Sequence, residues 1–285
     1  MEDKVKLKFT GVFLLSIMLG ACGYDLDLTG MVYSETEVNG RFSQSMEYND
    51  THPARVIHVG SDNYTLAFAG DCHVGETGNL LELLDSTRGP NISALFLCGD
   101  NTTGLQEDYD RLKSLMDTVS VTTWFMTTGN HDLYHAGWNT YFPYFGPSVY
   151  TVSIEGPSVR DLVLVLDNCS GTVGSQQLDW IRSTLEEKRN DYRYCIVACH
   201  VNFFRNRFTV STNPLTEEIW ALVDLFALHR VNLLVSGHDH KRYEEVFGAT
   251  TYLTMDAVKD VEPQTSWLKL RVSADSLHYD FVSFH

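Results

Sequence analysis

The chain is short of positive charge. Against 37 aspartates and glutamates it sets only 21 lysines and arginines, a formal net charge of −16 over 285 residues. That balance excludes nucleic-acid binding through bulk charge. A small anionic substrate would need a local positive centre, such as metal ions, to overcome the field. Cysteine is scarce as well: beyond Cys22 there are five, Cys72, Cys98, Cys169, Cys195 and Cys199. An odd set argues against a full disulfide framework. Cys98, Cys195 and Cys199 lie in apolar strand-like runs and read as small buried hydrophobes. Cys195 and Cys199 share a strand face about 13 Å apart, too far to bridge. Past the N-terminus no apolar run approaches the roughly 18 residues of a membrane span, so no second anchor is expected. Internal repeats and low-complexity segments are absent. With 44% hydrophobic and 20% charged residues, disorder, collagen and coiled coil are excluded, and the length suits one large domain or at most two.

The N-terminus reads as a targeting segment. Lys4, Lys6 and Lys8 precede an apolar run over residues 9–19, too short to span a bilayer comfortably. The run ends in Leu19-Gly20-Ala21-Cys22, which resembles a bacterial lipobox. The resemblance implies a signal peptide over residues 1–21, cleavage before Cys22 and a lipid on its sulfur. The alternative is an ordinary signal peptide with an incidental cysteine. Residues 22–54 are polar and irregular and read as a tether, with room for part of it to pack on the folded domain at 55–285. The expected location is the bacterial cell envelope. Gly23 carries no acidic retention signal, which favours the outer membrane or cell surface.

From residue 55 short apolar runs alternate with helical periodicity. Strands are expected at 64–69, 92–98, 123–126, 194–198 and 231–235, and an antiparallel pair at 149–154 and 162–166. Helices are expected around Leu80 and Leu84, over 105–116 with Leu112, Leu115 and Met116 on one face, after Ser175 and after Thr216. Ser175 and Thr216 read as N-caps. The tail from residue 242 alternates like a run of antiparallel strands.

Five of these strands end in clusters of Asp, Asn or His. They are Gly70-Asp71-Cys72-His73, Gly99-Asp100, Gly129-Asn130-His131-Asp132, His200 and Gly237-His238-Asp239-His240. In open α/β sheets ligands bind beyond the carboxyl ends of the strands. That topology would bring these distant clusters to one pocket. Asp and His suit borderline or hard divalent metals, and Asn adds a neutral carbonyl oxygen. The set exceeds what one catalytic ion needs. It fits two ions about 4 Å apart with one bridging carboxylate.

The ordered series Asp71-x-His73, Gly99-Asp100, Gly129-Asn130-His131-Asp132, His200 and Gly237-His238-x-His240 resembles the calcineurin-like metallophosphoesterase superfamily. The resemblance implies a four-layer α/β/β/α sandwich with two mixed central sheets and the site at one edge. It implies two divalent ions (Mn, Fe or Zn): Asp71, His73 and His240 on the first, Asn130, His200 and His238 on the second, and Asp100 bridging. The nucleophile would be a hydroxide between the ions, attacking the phosphorus of a phosphoester. His131 would assist the leaving alcohol, and Asp132 would hold its ring in the useful tautomer. The glycines at 70, 99, 129 and 237 would permit the tight turns that aim these side chains.

Three positions depart from that pattern. Thr103 stands where a purple-acid-phosphatase-like site places a tyrosine. Asn202 replaces a frequent proline. Cys72 lies between two ligands, either packed under the sheet or an oxidation-sensitive thiol. For the substrate, Arg205 and Arg207 are candidate phosphate contacts, with plain surface solvation as the alternative. The aromatics from Tyr134 to Phe145 read first as packing, second as a stacking wall. His135 is the one remaining histidine expected at the rim. Two alternatives to phosphoester hydrolysis are a pyrophosphate-bond hydrolase acting on nucleotide or lipid precursors, and a non-catalytic cell-envelope binding protein.

Overall fold

The computed structural model describes residues 36–75, 77–118, 122–205 and 212–285. Cys22, the lipobox and Arg207 lie outside them. The described chain begins with a helix, α1 (Val38–Thr51), and strand β1 (Arg55–His58). Then come β2 (Tyr64–Ala69), α2 (Gly78–Ser86), β3 (Ala94–Cys98), α3 (Gln106–Thr118), β4 (Trp124–Thr127), a 3₁₀ turn (His131–Ala136) and α4 (Trp138–Phe145). Next come β5 (Tyr150–Glu155), β6 (Arg160–Val165), α5 (Gly174–Lys188), β7 (Cys195–Ala198), α6 (Thr216–Leu228) and β8 (Leu233–Ser236). The chain closes with β9 (Tyr243–Phe247), β10 (Thr250–Thr254), β11 (Ser266–Val272) and β12 (Leu277–Ser283).

The strands form two mixed sheets, a seven-stranded one in the order β1-β5-β6-β7-β8-β10-β9 and a five-stranded one in the order β12-β11-β2-β3-β4. Period-two alternation explains how they stack. In β2, Leu66 and Phe68 face the other sheet, while Ala67 and Ala69 face the helices. The middle core adds Phe96, Val163, Ile196 and Leu268. Leu83, Tyr109, Leu112 and Tyr141 cover one outer face; Ile181, Leu185, Leu222 and Phe226 cover the other. This is the expected four-layer α/β/β/α sandwich. All five described cysteines are free and buried.

Four local expectations are corrected. Residues 38–51, read as part of an irregular tether, form α1. It packs Phe42 edge-on against Trp180 of α5 and buries Arg41 completely. The segment looks polar because two of its three buried residues, Arg41 and Ser45, are polar. Ser175 does not cap α5: the helix starts at Gly174, and the Glu218 carboxylate accepts the Val173 and Gly174 N–H groups at 2.9 and 3.2 Å. Thr216 is the first residue of α6 rather than its cap, and that helix has no side-chain cap, its first turn carrying Glu217 and Glu218 instead. The tail is not one antiparallel run. β9/β10 and β11/β12 are antiparallel, but β10 is parallel to β8 and β11 belongs to the other sheet. The connection over 255–265 crosses between the sheets, with Val258 and Lys259 donating to the carbonyls of Gly70 and Asp71.

Candidate metal centre

β2, β3 and β4 are parallel neighbours in one sheet, and β7 and β8 in the other. Their carboxyl ends open on one edge, and the candidate ligands follow within a few residues of each end. Glycines were expected to supply the unusual backbone there. Gly99 does so at φ 84°, and five of the candidate ligands do so as well: Asp71, His73, Asp100, His238 and His240 have φ of 55°, 41°, 50°, 73° and 53°. Each such non-glycine residue costs about 1–3 kcal/mol, and strain of this kind collects at functional sites. Gly129 and Gly237 serve by lacking a side chain, since a Cβ would fall 2.1 Å from Asp100 Oδ1 and 2.3 Å from Asp71 Oδ2.

Two donor sets result, and a third group, His73, Asp100 and His131, overlaps both of them. In the first, His240 Nε2 lies 3.3 Å from Asp71 Oδ1 and 3.3 Å from His73 Nε2, and His73 Nε2 lies 3.7 Å from Asp100 Oδ2. In the second, His200 Nε2 lies 3.3 Å from Asp100 Oδ2, 3.1 Å from Asn130 Oδ1 and 3.2 Å from His238 Nδ1. Asp100 Oδ2 belongs to both sets, while its Oδ1 accepts the His131 N–H at 2.8 Å.

The donor chemistry fits cations. His200 Nδ1 faces only the Cys98 carbonyl, at 2.9 Å, so it carries a hydrogen and a neutral ring leaves Nε2 as a lone pair. That lone pair meets a carboxylate oxygen and an amide oxygen. His240 repeats the arrangement, with Nδ1 on Glu262 Oε1 at 2.9 Å and Nε2 turned to Asp71 and His73. Asp71 Oδ1 and His238 Nε2 are buried without a hydrogen-bond partner. Acceptors facing acceptors in a buried pocket cost about 1–3 kcal/mol for each unsatisfied group. Either protons or metal ions must lie between them.

A family model described as calcineurin-like phosphoesterase matches residues 64–242. The chain belongs to this family. It is a metal-dependent phosphoesterase. Its fold is similar to that of GAP50, the anchor in the inner membrane complex of Plasmodium, with 13% identity, a TM-score of 0.63, and coverage of 78% of this chain and 84% of that one. A dimetal phosphatase from Danio rerio shares the fold at 12% identity and a TM-score of 0.62, covering 76% of this chain and 95% of that one. No curated protein matches the chain in sequence.

In the metal-free phosphoesterase protons occupy part of the cage. Burial lowers the pKa of His200, but Asp100 outweighs it and raises His200 to about 9. Burial acts the same way on His240, and Asp71 with Glu262 raises it to about 9. His73 is pushed down to about 3 by burial, and His238 falls well below its usual value through burial and the His200 charge. Two of the candidate ligand histidines, His73 and His238, are therefore neutral. The other two are imidazolium ions that must lose a proton to bind metal. Zinc added at pH 7.5 should release about one proton from each of His200 and His240, and apparent affinity should rise with pH up to about 9. A weakly buffered titration with an indicator dye measures this; uptake without acidification would reject it. Both histidines have a folded pKa above the ordinary 6.5. Their stabilisation of the metal-free fold is therefore complete below about pH 6.5 and lost as pH rises through about 9.

Two expected roles change. Asp132 does not hold the His131 ring. Its buried carboxylate accepts Gly129 N–H at 2.8 Å, Asn101 N–H at 3.3 Å, Thr102 N–H at 2.8 Å and Thr102 Oγ1 at 2.9 Å. It ties the Asp100 turn to the Asn130 turn. Burial, then the Asp100 charge, pushes it up to about 7 against the pull of those donors. Arg205, expected at a substrate phosphate, has partners within the protein. Its Nε donates to Asp239 Oδ1 at 3.0 Å and its Nη1 to Thr212 O and Asn213 Oδ1 at 2.9 and 3.0 Å. Asp239, whose side chain is fully buried, needs that cation, and Asn202 donates to its other oxygen at 2.9 Å. Asn202 thus has a task that a proline could not perform.

The remaining candidates resolve simply. Cys72 is buried in the helix-side core and its thiol is pushed upward by burial, so it packs. Thr103 bonds Asp108. Trp138 and Tyr141 are buried in packing, whereas Tyr134 also accepts Asn130 Nδ2 at 3.2 Å and so turns Oδ1 toward the cage. His135 is exposed with a left-handed φ of 54°. Three supporting residues were not anticipated: Tyr134 in this role, Glu262 behind His240, and Asn168. Asn168 Oδ1 accepts the N–H groups of His200 and Val201 at 3.0 and 2.9 Å. For Glu262 and Asn168 no local sequence signal existed.

Proposed function

We propose that this phosphoesterase hydrolyses phosphoric esters with two divalent cations, manganese, iron or zinc. Asp71, His73 and His240 hold the first, Asn130, His200 and His238 the second, and Asp100 lies between. The observation that carries this reading is the convergence of bare acceptors on two points that share Asp100 Oδ2. Bound there, the pair supplies Lewis-acid charge for the phosphoryl group and lowers the pKa of a water. The chain contributes the rest. Burial of the ligand carboxylates keeps water from screening the site. The strained strand-end turns fix the donors in advance. His131 stands at the rim with its side chain 32% exposed and Nε2 3.9 Å from Asp100 Oδ2. There it can give a proton to the departing alcohol oxygen. We further propose, on the lipobox alone, that a lipid on Cys22 holds the enzyme at the bacterial cell envelope. No helix among the described residues is long and apolar enough to cross a membrane.

The test is turnover of a panel of phosphomonoesters, phosphodiesters and pyrophosphates by protein reconstituted with manganese, iron or zinc. Metal-dependent hydrolysis of a mono- or diester, lost on chelation and restored on reloading, is expected. Metal-loaded protein that turns over none of the esters would reject the reading.

A further inference from the structure

Helix α1 lies before the segment that the family model matches. Its one fully buried large side chain is a cation, Arg41. The guanidinium makes a two-pronged pair with Asp167, Nε to Oδ2 at 2.8 Å and Nη2 to Oδ1 at 3.1 Å, with both side chains at most 1% exposed. Nη2 also donates to Ser170 Oγ at 3.1 Å, and Nη1 to the Thr36 carbonyl at 2.7 Å.

Asp167 sits just beyond the end of β6, at the edge that carries the cage. Two connections leave it. The next residue, Asn168, clamps the main chain of His200 and Val201 through both ends of its amide. On the other side, Asp167 Oδ2 accepts Ser148 Oγ at 3.0 Å, and the Ser148 carbonyl accepts Thr127 Oγ1 at 3.0 Å. Thr127 ends β4, three residues before Asn130. The two ligand turns joined through Asp167 are thus those of Asn130 and His200, both in the second donor set.

We propose that Arg41 is a positioning residue for the second cation, which makes α1 a working part of the metal centre. A buried carboxylate with its cation removed must either take up a proton or draw in water. Either change moves the 166–170 loop and the two ligand turns hung from it. Apart from the shared Asp100, the first donor set hangs from β2, β8 and the 255–265 connection, and none of those contacts includes Asp167. The effect is therefore selective. The inference rests on the two-cation reading and deepens it.

Zinc titration of metal-free full-length protein, with bound zinc counted, tests it. Wild type should bind two ions. Arg41→Met should bind one ion as before and the other about 10- to 100-fold more weakly, the usual effect of losing a partner behind a ligand. Arg41→Lys keeps the charge without the fork. It should weaken the same ion by less, and it carries the test if the methionine variant does not fold. Phe42→Ala loosens α1 against Trp180 without touching Asp167 and should leave both ions in place. Arg41→Met combined with His238→Ala should still hold one ion tightly, and combined with His240→Ala none. Unchanged binding of two ions by both Arg41 variants overturns the inference, as does equal weakening of the second ion by Phe42→Ala. Selective weakening of the first ion also overturns it. A folded wild type that takes up no zinc overturns the two-cation reading and this inference together.

Discussion

An Asp100→Ala chain is expected to hold neither cation and to lose turnover by on the order of 10⁴-fold or more. The carboxylate has no substitute. Its Oδ2 lies 3.7 Å from His73 Nε2 in one donor set and 3.3 Å from His200 Nε2 in the other, and its Oδ1 accepts the His131 N–H. Removing it deletes the only oxygen common to both positions among the described residues. It also removes the main charge that raises the His200 pKa against burial. His200 then tends toward neutrality in the metal-free protein, which does nothing to restore the lost bridge. Asp132 should fall toward the ordinary carboxylate range, because the Asp100 charge is one of the causes holding it up. Metal content of the purified variant, measured beside circular dichroism, separates a lost site from a lost fold. A folded Asp100→Ala protein with two bound ions and wild-type turnover would remove the bridging role.

His131→Ala should behave oppositely with respect to metal. Its Nε2 is 3.9 Å from Asp100 Oδ2, farther than the ring nitrogens of His73 and His200. Its backbone N–H, which holds Asp100 Oδ1, survives the substitution. Both ions should stay while kcat falls by about 10²- to 10⁴-fold, the usual worth of a general acid. The loss should depend on the leaving group. An alkoxide needs its proton as it departs, whereas a nitrophenolate scarcely does. Alkyl esters should therefore suffer far more than nitrophenyl esters. Equal losses on both would mean that His131 acts elsewhere than on the leaving oxygen, and loss of an ion would make it a ligand.

Asp132 and Arg205 show how tertiary structure supplies partners that the neighbouring sequence does not name. Beside His131 in sequence, Asp132 looked like the partner of its ring. In the fold its carboxylate points the other way, because three main-chain N–H groups from two ligand turns converge there and must be satisfied. Arg205 looked like a phosphate contact in an acidic chain. It is committed to Asp239, which lies between the two histidines of the last ligand motif.

The strand-end clusters and their order could be read without coordinates because each depends on local pattern, and the four-layer architecture followed from the family resemblance that their order carries. A short apolar strand ending in Asp, Asn or His states its own direction, and parallel neighbours must present such ends together. The supports could not be read that way. Arg41 meets Asp167 across 126 residues, and His240 meets Glu262 across 22. Nothing in a polar helix or a loop marks such a partner in advance. A buried hydrogen bond is chosen by which turns the packed sheets bring within about 3 Å of each other, and that distance exists only once the chain has folded.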